Sequence, residues 1–232
     1  MQKIKGLLGY FTRGEAALWS VSTALVLGAF FLFDRGSLLT LAASLLGVAA
    51  LLFNAKGNPA GQVLMVAFSL LYGVISWGFC YYGEMATYLG MTAPMSVWAL
   101  ISWLRNPYQG KRSQVEVRQI SGKEAALLCL LAGGVTLVFY FILAAFSTAN
   151  LLPSTLSVTT SFLAVSLTAL RSPYFALCYA ANDLVLVVLW VLAAMEDAAY
   201  FSVAVCFAVF LVNDGYTFFN WRRMGDAQSN EK

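Results

Sequence analysis

Residues 174–194 read YFALCYAANDLVLVVLWVLAA, an apolar run in which only Asn182 carries an amide and only Asp183 a charge. A membrane-spanning helix needs about 20 predominantly apolar residues, so this stretch has the length and character of one span. Asn182 lies about 15 Å from Ser172 at the α-helical rise, which is near the middle of a bilayer. The stretch therefore predicts a membrane protein with polar groups inside the membrane.

The composition of the whole chain supports this prediction. Of its 232 residues, 60% are hydrophobic and only 11% are charged, whereas soluble domains carry about 25% charged residues. The formal net charge of +3 is too small for the basic patch of a nucleic-acid binder, so we expect no nucleic-acid partner. So apolar a composition also excludes an intrinsically disordered chain.

The sequence lacks residues that many enzymes and metal sites need. It contains no histidine, and its four cysteines form no CxxC pair, which removes His-based triads and most zinc sites. Neither a GxxxxGK[ST] nor a GxGxxG loop is present to hold phosphates. We therefore expect no enzymatic activity, no cofactor and no metal, and we expect the cysteines to be free thiols.

Seven further segments resemble residues 174–194 in length and hydropathy, and polar or turn-forming residues separate them. We therefore predict an all-α polytopic membrane protein with eight spans. The predicted spans are 16–33, 37–53, 60–80, 85–104, 125–147, 154–170, 174–194 and 198–221.

Basic residues predict the orientation of these spans. Arg35 is the only Lys or Arg on one predicted side, and the other thirteen lie on the opposite side. Because basic loops stay in the cytoplasm, both termini are expected there, which requires an even number of spans. Residues 4–12 are expected to lie along the membrane surface. Trp19, Trp103 and Trp221 are expected to anchor the cytoplasmic interface.

Two stretches, 43–105 and 160–223, resemble each other and indicate an internal repeat. Each contains three predicted spans, a tyrosine near the opening of its last helix (Tyr88 and Tyr200), and an aromatic and basic end. The single span 125–147 lies between them, so both copies enter the membrane in the same direction. This is the parallel-repeat plan of some transporters, whose binding site lies at the repeat interface near mid-bilayer.

A second polar pair, Asn213-Asp214, is predicted at a similar depth to Asn182-Asp183 on a neighbouring helix. A carboxylate in lipid costs about 2.5 kcal/mol or more, so these groups should face a cavity or a partner. A structural role, with amides and protonated carboxyls bonding across helices, is the alternative. Aromatic faces attract cations and complete the candidate substrate site. The aromatic candidates are Trp190, Tyr216, Phe68, Tyr72, Tyr88 and Trp98.

This set of carboxylates, amides and rings without a basic residue favours an uncharged or cationic, hydroxylated ligand. A phosphate would instead require Arg or Lys.

The end of the first repeat, Trp98…Trp103-Leu104-Arg105, and the run Asn182…Trp190 with Asn213-Asp214-Gly215-Tyr216…Trp221-Arg222 resemble the bacterial PnuC nicotinamide riboside transporters over about residues 37–223. The resemblance implies a SWEET-like core of three, one and three helices, preceded here by an extra N-terminal transmembrane helix. It also implies a homotrimer in the bacterial inner membrane and facilitated diffusion of nicotinamide riboside for vitamin B3 uptake and NAD synthesis. A cytoplasmic kinase would trap the substrate without stable binding, and membrane lipid would surround the protein.

Other functions remain open on the sequence. The chain could carry another nucleoside, a vitamin or a sugar, could be a membrane enzyme built on Asp183 and Asp214, or could be a non-transporting subunit. The predicted organisation is an N-terminal amphipathic segment and extra span (1–36), a first repeat (37–105), a basic cytoplasmic loop and linker helix (106–150), a second repeat (151–223) and a cytoplasmic tail (224–232).

Overall fold

The structure, a computed structural model, describes residues 10–78, 81–148 and 150–231. Apart from one short hairpin, the regular elements of these residues are helical, as predicted. In chain order they are α1 (Arg13–Phe33), α2 (Leu38–Ala55), α3 (Ala60–Gly78), α4 (Tyr82–Thr87), a π-helical turn (Tyr88–Thr92), α5 (Ala93–Arg105), β1 (Pro107–Tyr108), β2 (Lys111–Val115), α6 (Gly122–Ala145), α7 (Leu151–Ala169), α8 (Phe175–Ala194), a 3-10 turn (Ala198–Tyr200) and α9 (Phe201–Asn230).

Seven of the described helices are long and apolar enough to cross a membrane. The eighth predicted span, 85–104, corresponds to α4, the π-helical turn and α5, which follow one another without a gap from residue 82 to residue 105. Pro94 accounts for the irregular turn, because it has no N–H to donate to the carbonyl of Gly90 four residues earlier. The sequence predicted this helical segment but not its interruption.

Several predicted helix ends shift. α1 begins at Arg13 because Thr12 and Glu15 form a reciprocal capping box, with each side chain accepting from the other's backbone N–H. α9 continues to Asn230, beyond the predicted end at residue 221. Of the segment 4–12, predicted to lie along the membrane surface, residues 4–9 are outside the described residues.

The break between α6 and α7, which was predicted within a stretch that contains no charged residue, lies where it was expected. Ser147 and Asn150 both adopt positive φ angles, 51° and 53°, which turn the chain between the two helices. Asn is one of the few non-glycine residues that visit this conformation readily. Pro153 lies in the first turn of α7, where the helix needs no N–H donor.

Six helical segments pack side by side into a closed ring. The neighbours around the ring are α2 with α3, α3 with α5, α5 with α7, α7 with α8, α8 with α9, and α9 with α2. Thus the first helix of each predicted repeat contacts the last helix of the other. α1 packs outside the ring on α2 and α9, and α6 packs outside it on α7.

The loops after α2, α5 and α7 meet the C-terminal part of α9 at one end of the ring, called here the basic end. The hairpin segment ties these loops together. Val115 N donates to Gly57 O at 2.9 Å, and Gln228 Nε2 of α9 donates to Val115 O at 3.1 Å. Arg118 N donates to Arg171 O at 3.0 Å. The polar stretch after Arg105 is therefore an ordered cover over this end.

The outer surface is strongly apolar. In α6 only Ala132 and Leu143 are buried, and Leu130 is 74% exposed. Such a surface is suited to lipid or to another subunit rather than to water.

Candidate functional site

Aromatic side chains from three ring helices fill the centre of the protein. Phe68 and Tyr72 of α3 stack with centroids 5.5 Å apart, and Tyr88 of the π-helical turn lies edge-on to Tyr72 at 4.5 Å. Trp190 of α8 donates its indole N–H to the Tyr72 hydroxyl. The structure therefore brings four of the predicted aromatic candidates together, and all four are buried.

Asn182 is anchored to α7 by three hydroxyl groups. Its side-chain oxygen accepts hydrogen bonds from Ser157, Thr160 and Ser161 at 3.2, 2.8 and 3.1 Å. Three hydroxyl donors on one face of α7 thus fix the rotamer of a single buried amide, which is 1% exposed.

Asp183 and Asp214 face each other across the contact between α8 and α9. Their carboxyl groups share a hydrogen bond, which requires a proton on one of them. The Asp183 Oδ2 and Asp214 Oδ1 atoms are buried and lack hydrogen-bond partners in the part of the chain that the structure describes. Of the two predicted Asn-Asp pairs, the aspartates are the members that the structure brings together.

Three predicted site residues lie elsewhere. Asn213 points away from the centre and donates to Ser22 Oγ of α1 at 2.9 Å, because one residue of helical rotation separates it from Asp214. Tyr216 donates to Glu15 Oε1 at 3.0 Å near the basic end. Trp98 is 56% exposed on the outer surface, so it does not line the centre.

Trp103 and Trp221, predicted to be interfacial anchors, are instead fully enclosed at the basic end. Trp103 of α5 donates its indole N–H to Thr168 O at the end of α7, at 2.9 Å. Trp221 of α9 donates to Asn54 O at the end of α2, at 2.7 Å. The last carbonyls of a helix lack the usual partner four residues on. Each indole adds a second donor to such a carbonyl, because Thr168 O also accepts from Arg171 N and Asn54 O also accepts from Gly57 N. Trp19, which is 42% exposed, remains suited to the interface.

The residues that precede these tryptophans form equivalent hydrogen bonds to the ends of the same two helices. Ser102 Oγ donates to Ala169 O at 2.8 Å, and Asn220 Nδ2 donates to Ala55 O at 2.7 Å. Two successive side chains of α5 thus bind the final two carbonyls of α7, and two successive side chains of α9 bind the final two carbonyls of α2. Parallel repeats related by a twofold axis along the ring would produce this pattern.

Glu84 is a buried carboxyl that was not among the residues predicted from the sequence. It lies in the first turn of α4, is 0% exposed, and neighbours Ser157 of α7. The predicted span began at residue 85. Glu84 was therefore expected in a loop, where a charged side chain is normally exposed to water. Its spacing of four residues from Tyr88 was a usable signal, because residues four apart share one helix face.

The centre of the ring is closely packed. A cavity bounded by Phe68, Tyr72, Ile75 and Phe207, among others, holds about 10 Å³, roughly the space of one water. A much larger open cavity of about 880 Å³ lies at the basic end, where Glu15, Lys56, Tyr216 and Arg223 contribute to its lining. The structure is therefore closed around the central groups, and a ligand would reach them only if ring helices separated.

No basic residue is buried in the described structure. The buried polar and charged side chains include Glu15, Glu84, Asp183 and Asp214 but no Lys or Arg. Of the described residues, no group of three Cys, Asp or Glu could hold a metal ion. The centre is thus acidic and aromatic.

A closed ring of apolar helices around such a centre defines a polytopic membrane protein with an internal polar site. The chain belongs to the nicotinamide mononucleotide transporter family, whose model matches residues 37–223. It also shares its fold with a solved structure described as the crystal structure of the vitamin B3 transporter PnuC. The TM-score is 0.83 at 19% identity, with 94% of each chain covered. No curated protein matches the chain.

These comparisons confirm the predicted resemblance to the PnuC family and the prediction of a transporter rather than an enzyme. The matched residues begin at Ser37, so α1 precedes the part of the chain that defines the family.

Proposed function

We propose that the protein carries nicotinamide riboside across the membrane by facilitated diffusion. The observation that carries this proposal is the charge of the centre, where Glu84, Asp183 and Asp214 are buried beside aromatic rings without any buried Lys or Arg. Nicotinamide riboside combines a positively charged ring, a carboxamide and ribose hydroxyls. Carboxylates and ring faces attract the cation, and Asn182 can bond the amide or the ribose.

The same observation favours a nucleoside over a nucleotide. Nicotinamide mononucleotide, which gives the family its name, carries a phosphate in addition to the nucleoside. A phosphate transferred from water requires Arg, Lys or a helix N-terminus to replace its hydration. Next to three carboxyl groups it would also meet like charge.

We propose that the substrate enters the centre when the ring opens at one end, and leaves when it opens at the other. The two repeats, 37–105 and 151–223, would rock against each other in a SWEET-like manner, with the site between them. The proposed site contains Phe68, Tyr72, Tyr88, Asn182, Asp183, Trp190 and Asp214. The bonds of Trp103 and Trp221 would close the basic end and break when it opens.

The proposed setting is the bacterial inner membrane, with both termini in the cytoplasm. The bias of Lys and Arg toward the basic end supports this orientation. The exposed apolar face of α6 is suited to lipid and to the neighbouring subunits of a homotrimer. A cytoplasmic kinase that phosphorylates the nucleoside would retain it in the cell and maintain the gradient.

Counterflow into liposomes tests the proposal. Purified protein reconstituted with internal nicotinamide riboside should accumulate the labelled compound from outside. Unlabelled nicotinamide riboside should compete, whereas nicotinamide mononucleotide, thiamine, uridine and sugars should compete weakly. Failure of purified, folded protein to exchange nicotinamide riboside would refute the proposal, and stronger competition by one of the others would name a different substrate.

A further inference from the structure

Glu84 differs from the other two central carboxyls in having no carboxyl partner. Asp183 and Asp214 share a hydrogen bond with each other. Both carboxyl oxygens of Glu84 are buried without a hydrogen-bond partner in the described part of the chain. Ser157 lies beside it, but this serine donates its hydroxyl hydrogen to Asn182. A carboxyl group in this position has unused capacity to bind a ligand.

Three tyrosines lie near this carboxyl. Tyr72 and Tyr88 both lie within range of its charge, as does Tyr81. Tyr81 and Trp190 pack edge to face with centroids 5.0 Å apart. A negative group near several aromatic side chains creates a local environment that favours a cation and disfavours an anion.

Glu84 is also close to the groups that would hold the rest of a nucleoside. Ser157 contacts both Glu84 and Asn182, so only one side chain separates the carboxyl from the amide. Tyr88 lies within range of the charges of both Glu84 and Asp183. A ligand between them could present a charged ring to Glu84 and polar substituents to Asn182.

We propose that Glu84 sets the charge selectivity of the transporter, by binding the positively charged ring of the substrate in the aromatic cluster. This inference rests on the proposed transport of nicotinamide riboside. It adds the residue that distinguishes the cationic nucleoside from a neutral one of the same shape.

The second repeat provides a matched control. Glu196 and Tyr200 follow Glu84 and Tyr88 at the same separation of 112 residues, and Tyr81 lies within range of both glutamates. Glu196, however, is exposed at the end of α8, where water screens its charge. Glu196→Gln therefore removes a glutamate charge that also lies within range of Tyr81, without changing the centre.

The test compares nicotinamide riboside with its reduced dihydro form, which has nearly the same shape and no ring charge. Wild-type protein in liposomes should prefer the cation. Glu84→Gln should lower this preference about tenfold or more, which corresponds to one modest charge interaction, chiefly by weakening affinity for the cation. Glu196→Gln should retain the wild-type preference. An unchanged preference in Glu84→Gln overturns the inference.

Two further readouts keep the test decisive. Glu84→Gln is nearly isosteric, and we expect its thermal stability without ligand to equal or exceed that of the wild type, because a buried unpartnered charge is removed. Glu84→Asp withdraws the carboxyl by one methylene and should also reduce the preference for the cation. If Glu84→Gln does not fold, an unchanged preference in Glu84→Asp overturns the inference. Wild-type protein that exchanges neither compound refutes the proposed function itself.

Discussion

Trp103 and Trp221 lie with ring centroids 5.3 Å apart, and each donates its indole N–H to the end of a helix in the other predicted repeat. The last helix of each predicted repeat is thus hydrogen-bonded to the first helix of the other. Because the two indole rings are in contact, the two hydrogen bonds to the helix ends lie next to each other. Both predicted repeats therefore contribute to the packing of the basic end.

Removing either indole N–H should weaken the basic end. Trp103→Phe removes the indole donor to Thr168 O, which still accepts from Arg171 N, and Trp221→Phe removes the indole donor to Asn54 O, which still accepts from Gly57 N. The expected cost is about 0.5–1.5 kcal/mol each. Because the rings touch, the effect of the double substitution should differ from the sum of the single effects. Thermal unfolding in detergent measures these costs. Trp98→Phe, on the exposed surface, should have little effect, and equal losses for all three would contradict the assignment.

Substitutions of Asn182 and Asn213 should have different effects on transport. Asn182→Leu removes the acceptor for three hydroxyls and the amide proposed to bind substrate, so counterflow should fall below a tenth of wild type. Asn213→Leu removes a bond to Ser22 of α1 and should chiefly weaken the packing of that helix. Counterflow and size-exclusion chromatography of both variants separate these outcomes. Normal transport by Asn182→Leu would show that the site is misplaced.

The shared hydrogen bond between Asp183 and Asp214 predicts that an amide is tolerated better than an apolar group. In Asp183→Asn the amide can still donate to Asp214. In Asp183→Leu the buried carboxyl of Asp214 loses its partner, at a cost of about 1–3 kcal/mol relative to Asp183→Asn. Unfolding temperatures of the two variants provide the comparison. A leucine variant as stable as the asparagine variant would argue against the pair.

The ion pair between Glu15 and Lys56 should hold α1 against the ring. Lys56 Nζ lies 2.9 Å from Glu15 Oε2, and the Glu15 side chain is only 3% exposed. Lys56→Met should cost about 1–3 kcal/mol, because Thr12 and Tyr216 still donate to the stranded carboxyl. Adding Glu15→Gln should restore part of the loss. Denaturation of the single and double variants measures the coupling, and strict additivity of the two substitutions would exclude it.

The approach of α2 to α9 depends on the absence of a side chain at Gly47. A Cβ atom there would lie 2.2 Å from Phe210 Cζ, so Gly47→Ala must displace the ring. Overpacking of this kind costs about 1–3 kcal/mol. Phe210→Leu in the same protein should recover part of it. Gly28→Ala, where a Cβ meets no atom within 4 Å, is the control for helix propensity. A smaller stability loss for Gly47→Ala than for Gly28→Ala would contradict this packing.

Hydropathy was sufficient to predict the helical membrane architecture and the buried aspartates, because long apolar runs and charges inside them are local features of a sequence. It could not determine which way each polar side chain points. Asn213 and Asp214 are adjacent, yet one bonds to α1 and the other to Asp183. That difference depends on the rotation of α9 within the ring, which tertiary packing sets.

The tryptophans show a similar limit. A tryptophan near the end of a membrane helix is suited equally to the lipid interface and to a buried contact. Trp103 is buried because the end of α7 lies against it, and that neighbour is 65 residues away in sequence. Glu84 was missed for a local reason. The helix begins three residues earlier than predicted, so a carboxyl expected in a loop is buried in the first turn of a helix.

The π-helical turn at Tyr88–Thr92 has a mechanical consequence. A π turn contains one more residue than an α turn, so shifting that surplus residue along the chain would rotate everything on one side of it by about 100°. Rotation of α4 alone would swing Glu84 away from the aromatic rings while α5 and Trp103 kept their positions. The carboxyl could thus be withdrawn without unfolding any helix. Deleting Gly90 would remove the surplus residue, and the accessibility of a cysteine placed at position 84 would report the resulting orientation.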